Sequence, residues 1–182
     1  TATGGTATAG DDYVAVNGTL NFAPFAITQT FTVSVTPDVF DEPDETIILR
    51  LIETPSATVG IDHNPAVLTI LDDDDPPIVD LDALAYTVDE HDGFAIITAI
   101  LSVASGFTVR VDYATFDGTA TAGSDYLTAA NTLIFAPGIV TRTFTVIITD
   151  DVMDENDETI TLTLSSPANA ALGSNNTGSL TI

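Results

Sequence analysis

Six acidic residues, Asp150, Asp151, Asp154, Glu155, Asp157 and Glu158, fall within the single stretch Thr149–Thr159. Carboxylates at that density repel one another and call for positive charge from elsewhere. The chain supplies little of its own: three Arg and no Lys stand against 27 Asp and Glu, for a net charge of −24. Three compensators fit, namely metal cations, a cationic partner, or a salty medium that screens the repulsion. Among metals, Ca²⁺ takes roughly six to eight oxygen ligands from flexible loops. Carboxylates without His or Cys beside them favour it over Zn²⁺. Mg²⁺ keeps its waters and prefers stricter octahedral sites, which makes it second choice.

The same charge balance excludes whole classes of function. With no basic patch to replace phosphate counterions, nucleic acid is not a partner. Anionic membrane surfaces are disfavoured for the same reason, and no apolar run approaches the length of a membrane span. Cysteine is absent, so there is neither a disulfide framework nor a thiolate metal site. Hydrophobic residues make up 45% of the chain, enough for a packed core despite the acidity.

The acidic stretch must be held by its flanks. Phe144, Val146 and Ile148 precede it and Ile160, Leu162 and Leu164 follow it, each set alternating with polar residues. A period of two marks half-buried strands, so the acids form one interstrand loop.

The chain also repeats. Gly5-Thr-Ala-Thr-Ala-Gly-Asp-Asp-Tyr13 matches Gly118-Thr-Ala-Thr-Ala-Gly-Ser-Asp-Tyr126 at an offset of 113. The offset persists through Phe22-Ala-Pro24 with Phe135-Ala-Pro137, and Asp38-Val-Phe-Asp-Glu-Pro-Asp-Glu-Thr46 with Asp151-Val-Met-Asp-Glu-Asn-Asp-Glu-Thr159. After one residue of slippage, Leu68-Thr-Ile70 matches Leu180-Thr-Ile182. The expected organisation is a partial repeat over 1–75, ending in the acidic linker Asp72–Asp75, and a nearly complete repeat over 76–182. Thr1 aligns with Ala114, so the first copy lacks the counterpart of 76–113. The chain reads as a window on a tandem array or as a processed product.

Seven strands are expected in the second copy: Ile78–Leu81 with Ala85–Val88, Phe94–Ser102, Phe107–Tyr113, Leu133–Phe135, Thr141–Ile148, Ile160–Leu164 and Ser179–Ile182. Turn residues such as His91-Asp-Gly93, Asp117-Gly118 and Pro137-Gly138 separate them. The fold class is all-β, a tandem of immunoglobulin-like antiparallel sandwiches with the first copy incomplete. If strands alternate up and down, the connections after the first, third and fifth strands share one end. Glu90, Asp125 and the Asp150–Glu158 run lie in those connections. The connections at the other end, 102–107, 136–140 and 165–178, contain no Asp or Glu. A merely solvated acidic surface would not segregate its charge this way.

The succession DGTATAGSDY, FAPG, TDDVMDENDET and, in the first copy, DDDD after the last strand resembles the Calx-β domain. That is the calcium-binding module of sodium–calcium exchangers, also found in integrin tails and bacterial surface proteins. The resemblance covers nearly the whole chain and implies a seven-stranded sandwich with calcium at one end. By position it implies Glu90, Asp125, Asp150, Asp151, Asp154 and Glu158 as ligands in the second copy. In the first copy it implies Asp12, Asp38, Asp41, Glu45, Asp72, Asp73, Asp74 and Asp75. Departures exist: Pro37 stands where the second copy has Asp150, and Thr36 and Thr149 stand where exchanger modules carry Asp.

Bland alternatives accompany these assignments. The Asp72–Asp75 run can be a charged linker, although it leads into the stiff Pro76-Pro77, where a cation would brace the joint between copies. Tyr13 and Tyr126 are expected as packed rings and the adjoining glycines as turn formers. His63 and His91 are expected in exposed loops. No Ser sits in a nucleophile elbow, and a loose acidic fringe lacks the pocketed pair of carboxylates that glycoside hydrolysis needs, so no enzyme activity is expected. The expected function is a calcium-binding structural or adhesion module of an extracellular or cell-surface protein of bacterial origin. Its partners would be calcium ions and neighbouring repeats or other copies of the chain. The alternative is a filament subunit assembled by strand complementation, with calcium incidental.

Overall fold

Alternation of apolar and polar residues builds two sheets over the second half of the chain and one over the first. The computed structural model describes residues 1–152 and 155–182, which form two compact units. Unit 1 comprises Thr1–Val39 and Pro43–Asp73; unit 2 comprises Phe40–Glu42 and Asp74–Ile182.

Unit 1 holds a three-stranded antiparallel sheet, β1 (Ala2–Gly5), β2 (Glu45–Leu49) and β3 (Ala66–Ile70), in that order. Its small core gathers Ala2, Ala7, Tyr13 and Ile47, with Val16, Val33, Leu49, Leu68 and Ile70 packed around them. No strand forms between Tyr13 and Glu45; Tyr13 and Val35 meet in an isolated bridge.

Unit 2 is a sandwich. One sheet contains β4 (Ile78–Leu81), β6 (Phe94–Leu101), β8 (Tyr126–Leu127), β10 (Thr141–Ile148) and β12 (Ala171–Leu172), ordered β12-β4-β6-β10-β8. The other contains β5 (Ala85–Thr87), β7 (Val109–Asp117), β9 (Ala130–Phe135), β11 (Thr159–Ala168) and β13 (Thr177–Thr181), ordered β5-β13-β11-β7-β9. Inward residues come from both: Ile97 and Val146 from one, Val111, Ile160, Leu162 and Leu180 from the other. Fully burying each such side chain is worth roughly 1.5–3 kcal/mol.

The sandwich agrees with the sequence expectation, with refinements at strand ends. The third expected strand runs on past Tyr113 to Asp117, because β11 offers it partners as far as Ile160↔Asp117. Thr115 breaks the apolar pattern there yet is buried, its hydroxyl accepting the Ala129 N–H at 2.9 Å. The segment 78–87 serves both sheets, β4 in one and β5 in the other. The short β8 and β12 have too few residues to show a period.

Candidate metal centre

Three connections of unit 2 are tied together by main-chain hydrogen bonds. After β5 the chain makes one turn of 3₁₀ helix, Glu90–Asp92, ended by Gly93 in the left-handed region at φ 74°. The Ile148 N–H donates to Gly93 O at 3.0 Å, and the Thr149 N–H donates to Asp125 O at 2.9 Å. Glu158 and Ile182 exchange both of their N–H···O bonds, at 3.1 and 2.9 Å. The 3₁₀ turn, the β7–β8 connection and both ends of the β10–β11 loop are thereby anchored around one place.

Asp125, Glu155 and Glu158 meet there, with carboxylate oxygens all within 4.8 Å of one another. Glu90 and Asp157 join them in lining a recess of about 170 Å³. Asp125 is fixed from behind, its Oδ2 accepting the Thr121 N–H at 2.7 Å. Desolvation, then the charges of Asp151, Asp150, Glu155 and Asp125, push the Glu90 carboxyl above its ordinary value. Desolvation first, then a carboxyl–carboxyl hydrogen bond to Asp125 and the charges of Asp125, Glu155 and Glu90, do the same to Glu158. No His and no Cys takes part. This is a hard, oxygen-only, over-charged donor set, and it fits Ca²⁺.

Of the residues expected from sequence, Glu90, Asp125 and Glu158 come together. Asp150 and Asp151 are exposed and act on Glu90 through their charge. Asp154 lies outside the described residues. Glu155 belongs to the cluster but was not among the expected ligands; its place in the acidic run was the available signal.

In unit 1 the carboxylates of Asp12 and Glu45 offer oxygens within 4.8 Å of one another, at the repeat positions of Asp125 and Glu158. Asp12 accepts the Thr8 N–H, just as Asp125 accepts that of Thr121. Asp38 is exposed. Asp41 is buried within unit 2, where the Ser105 hydroxyl donates to its Oδ2 at 3.2 Å and the Gly106 N–H to its carbonyl at 2.9 Å. Asp72 accompanies Asp44, whose Oδ1 accepts the Asp72 N–H at 3.1 Å. Asp73 and Asp75 are exposed and Asp74 is half-buried.

The GTATAG motif is scaffolding for this arrangement. A Cβ on Gly118 would lie 2.4 Å from Thr159 O, so only glycine allows the approach. The Thr159 N–H donates to Thr119 Oγ1 at 2.8 Å, which fixes the start of β11 beside Glu158. Tyr126 is fully buried, its hydroxyl donating to Asp117 Oδ1 at 2.8 Å. Burial, then that bond and the Asp117 charge, push the phenol up to about 12.

The Calx-beta domain model matches residues 1–74 and 72–182. The chain belongs to the Calx-beta domain family. FRAS1-related extracellular matrix protein 2 of Homo sapiens is 33% identical over 150 residues, which is 78% of this chain and 5% of that protein. The sodium/calcium exchanger Calx of Drosophila melanogaster is 35% identical over 132 residues, 72% of this chain and 14% of the exchanger. The chain thus spans a small part of the relatives it matches. Among solved structures, the apo-form Calx CBD1 domain superposes with a TM-score of 0.56 at 27% identity, covering 58% of this chain and 95% of that one. A structure described as calcium binding domain CBD12 of CALX1.1 gives 0.55 at 28% identity, covering 57% of this chain and 44% of that one. Like them, this Calx-beta chain is built of β-sandwich; among its described residues no helix is long and apolar enough to cross a membrane.

Proposed function

We propose that the 76–182 repeat binds Ca²⁺ through Asp125, Glu155 and Glu158, with Glu90 completing the set, as a non-catalytic structural module of an extracellular or cell-surface repeat protein. The observation that carries this reading is the convergence of the Asp125, Glu155 and Glu158 oxygens within 4.8 Å in an all-acidic recess. A bound ion supplies the positive charge that offsets their repulsion. The protein's part is positional: the backbone bonds at Gly93, Asp125 and Ile182 hold the donors in place. The family's calcium-binding relatives and the matrix proteins among the matches support the assignment. Asp12 and Glu45 are the corresponding pair in the 1–75 repeat. The run Asp72–Asp75 stiffening the chain is proposed from its sequence position before Pro76-Pro77.

Extracellular calcium modules bind at about 10⁻⁴–10⁻³ M. At about 10 to 100 times Kd, one site adds roughly 1.4–2.7 kcal/mol to unfolding. Calorimetric melting in calcium and in EDTA tests this: a higher midpoint in calcium is expected, and equal midpoints contradict it. Assembly through exchanged strands has one observation behind it, the exposed apolar residues Phe22, Phe31 and Leu51 of unit 1. Fibres or end-to-end oligomers in light scattering favour that reading, and a monodisperse monomer counts against it.

A further inference from the structure

Among the described residues of unit 2, four strands lie outermost in their sheets: β12 and β8 in one, β5 and β9 in the other. β12 and β8 have two residues each and β5 has three, too few to offer a neighbour a ladder, whereas β9 has six. Its sequence, Ala130-Asn-Thr-Leu-Ile-Phe135, holds no charge and no proline in a chain of net charge −24. A long, uncharged edge is a template on which another strand can add.

The bonds show which groups face outward. Ala129 O accepts the Thr115 N–H at 2.9 Å as the chain enters β9 beside β7. Alternate residues of an antiparallel strand serve one side, so Ala130, Thr132 and Ile134 direct their N–H and C=O groups away from β7. Side chains occupy two of these groups. Arg142 reaches across from β10 in the other sheet, and its Nε–H donates to Ile134 O at 2.7 Å. Asn131 Oδ1 accepts the Thr132 N–H at 2.8 Å. Arg142 is one of three Lys and Arg in a chain with 27 acids, yet its Nε serves a neutral carbonyl. The contact recurs one repeat earlier with different residues. Gln29 Nε2 donates to Asn21 O at 2.8 Å, donor and acceptor both displaced by 113 (142 minus 29, 134 minus 21). The two repeats share the bond and not the charge.

We propose that the free side of β9 is a strand-addition surface for β9 of a second copy, and that Arg142 keeps it closed. The edge is self-complementary: in antiparallel pairing about Thr132, Ala130 of each copy meets Ile134 of the other. β9 is antiparallel to β7, whose last residue, Asp117, pairs with Ile160 close to Glu158. β9 therefore begins toward the acidic recess and runs away from it. Antiparallel pairing of two copies sends their acidic ends in opposite directions, whereas parallel pairing would bring them together. With Arg142 in place, an incoming strand finds Ile134 O occupied and a guanidinium in its path. Calcium has no part in this surface.

The test uses the full chain and four variants. Arg142→Met keeps the side-chain stem and loses the donor, and Arg142→Ala is a second removal. Arg142→Gln keeps a donor, as Gln29 does. Arg142→Met with Ile134→Pro removes an edge N–H that proline can lack, because it faces solvent. Sedimentation velocity over a range of concentrations, in low salt and in about 1 M NaCl to screen repulsion between copies, reads the mass. Amide hydrogen exchange at Ala130 and Ile134 reads the edge. Arg142→Met and Arg142→Ala are expected to move toward twice the parent's mass as concentration and salt rise, with those amides protected at least about tenfold. The parent, Arg142→Gln and the proline double variant are expected to do neither. The proposal is overturned if both removals keep the parent's mass, or if they associate without protection at Ala130 and Ile134. It also falls if Arg142→Gln or the double variant associates like Arg142→Met, or if the parent's edge amides gain protection on concentration. Loss of unit 2's melting transition in both removals overturns it as well, since Arg142 then holds the fold rather than the edge.

Discussion

Replacing the same repeat position in each unit separates burial from residue type. Phe135 is fully buried at the end of β9, whereas Phe22, one repeat earlier, is 56% exposed. Removing a buried Phe ring leaves a cavity that costs about 3–5 kcal/mol. For a domain near 100 residues each kcal/mol moves the midpoint by roughly 4 °C or more, so Phe135→Ala should lower it by at least about 12 °C. Phe22→Ala removes a ring with little packed on it and should stay within about 0.5 kcal/mol. Differential scanning calorimetry on the whole chain reads both, with far-UV circular dichroism to confirm which transition moves. Equal losses in the two variants would refute the contrast. So would a Phe135→Ala variant that melts like the parent, because the same substitution must then meet similar surroundings in both units.

The remaining predictions concern the acidic end. Glu158→Gln keeps the shape and removes one charge from the cluster, so the calcium-free midpoint should rise while the gain on adding calcium shrinks; calorimetry in EDTA and in calcium checks both signs. Glu90 and Glu158 bind protons more tightly folded than unfolded, so the calcium-free protein should gain stability as pH falls from about 7 toward about 5, and E90Q/E158Q should flatten that slope in urea titrations. Stability falling over that interval would contradict the assigned direction of the shifts. Gly118→Ala pushes a Cβ against Thr159 O and should cost about 1–3 kcal/mol, whereas Gly18→Ala, with open space around it, should cost less than about 0.5 kcal/mol in the same denaturation assay.

Much of the fold is legible in the sequence because the sandwich imposes a period of two. Thr141–Ile148 reads as a strand and is one, with Phe144, Val146 and Ile148 inward. Polar residues at core positions defeat that reading: Thr115 is buried because the Ala129 backbone satisfies it, and nothing local announces the partner. Two-residue strands such as β12 carry no period at all, and β12 pairs parallel to β4 across most of the unit's sequence. At the site, strand alternation alone sends the connections holding Glu90, Asp125 and Glu158 to one end. Asp150, Asp151 and Glu155 are all exposed, and residue type does not show that Glu155 is the one whose carboxylate meets those of Asp125 and Glu158; only the loop's path decides. Asp41 was unreadable for a similar reason, its partner Ser105 lying 64 residues away.

Calcium titration followed by amide NMR tests the central claim most directly, because it resolves the site residue by residue. Saturable shifts at Asp125, Glu155, Glu158 and Ile182 are predicted, with Kd of about 10⁻⁴–10⁻³ M, and Asp125→Asn with Glu158→Gln should weaken them by at least about tenfold. Resonances that stay in place up to about 10 mM calcium, or that shift equally in the double variant, would contradict it.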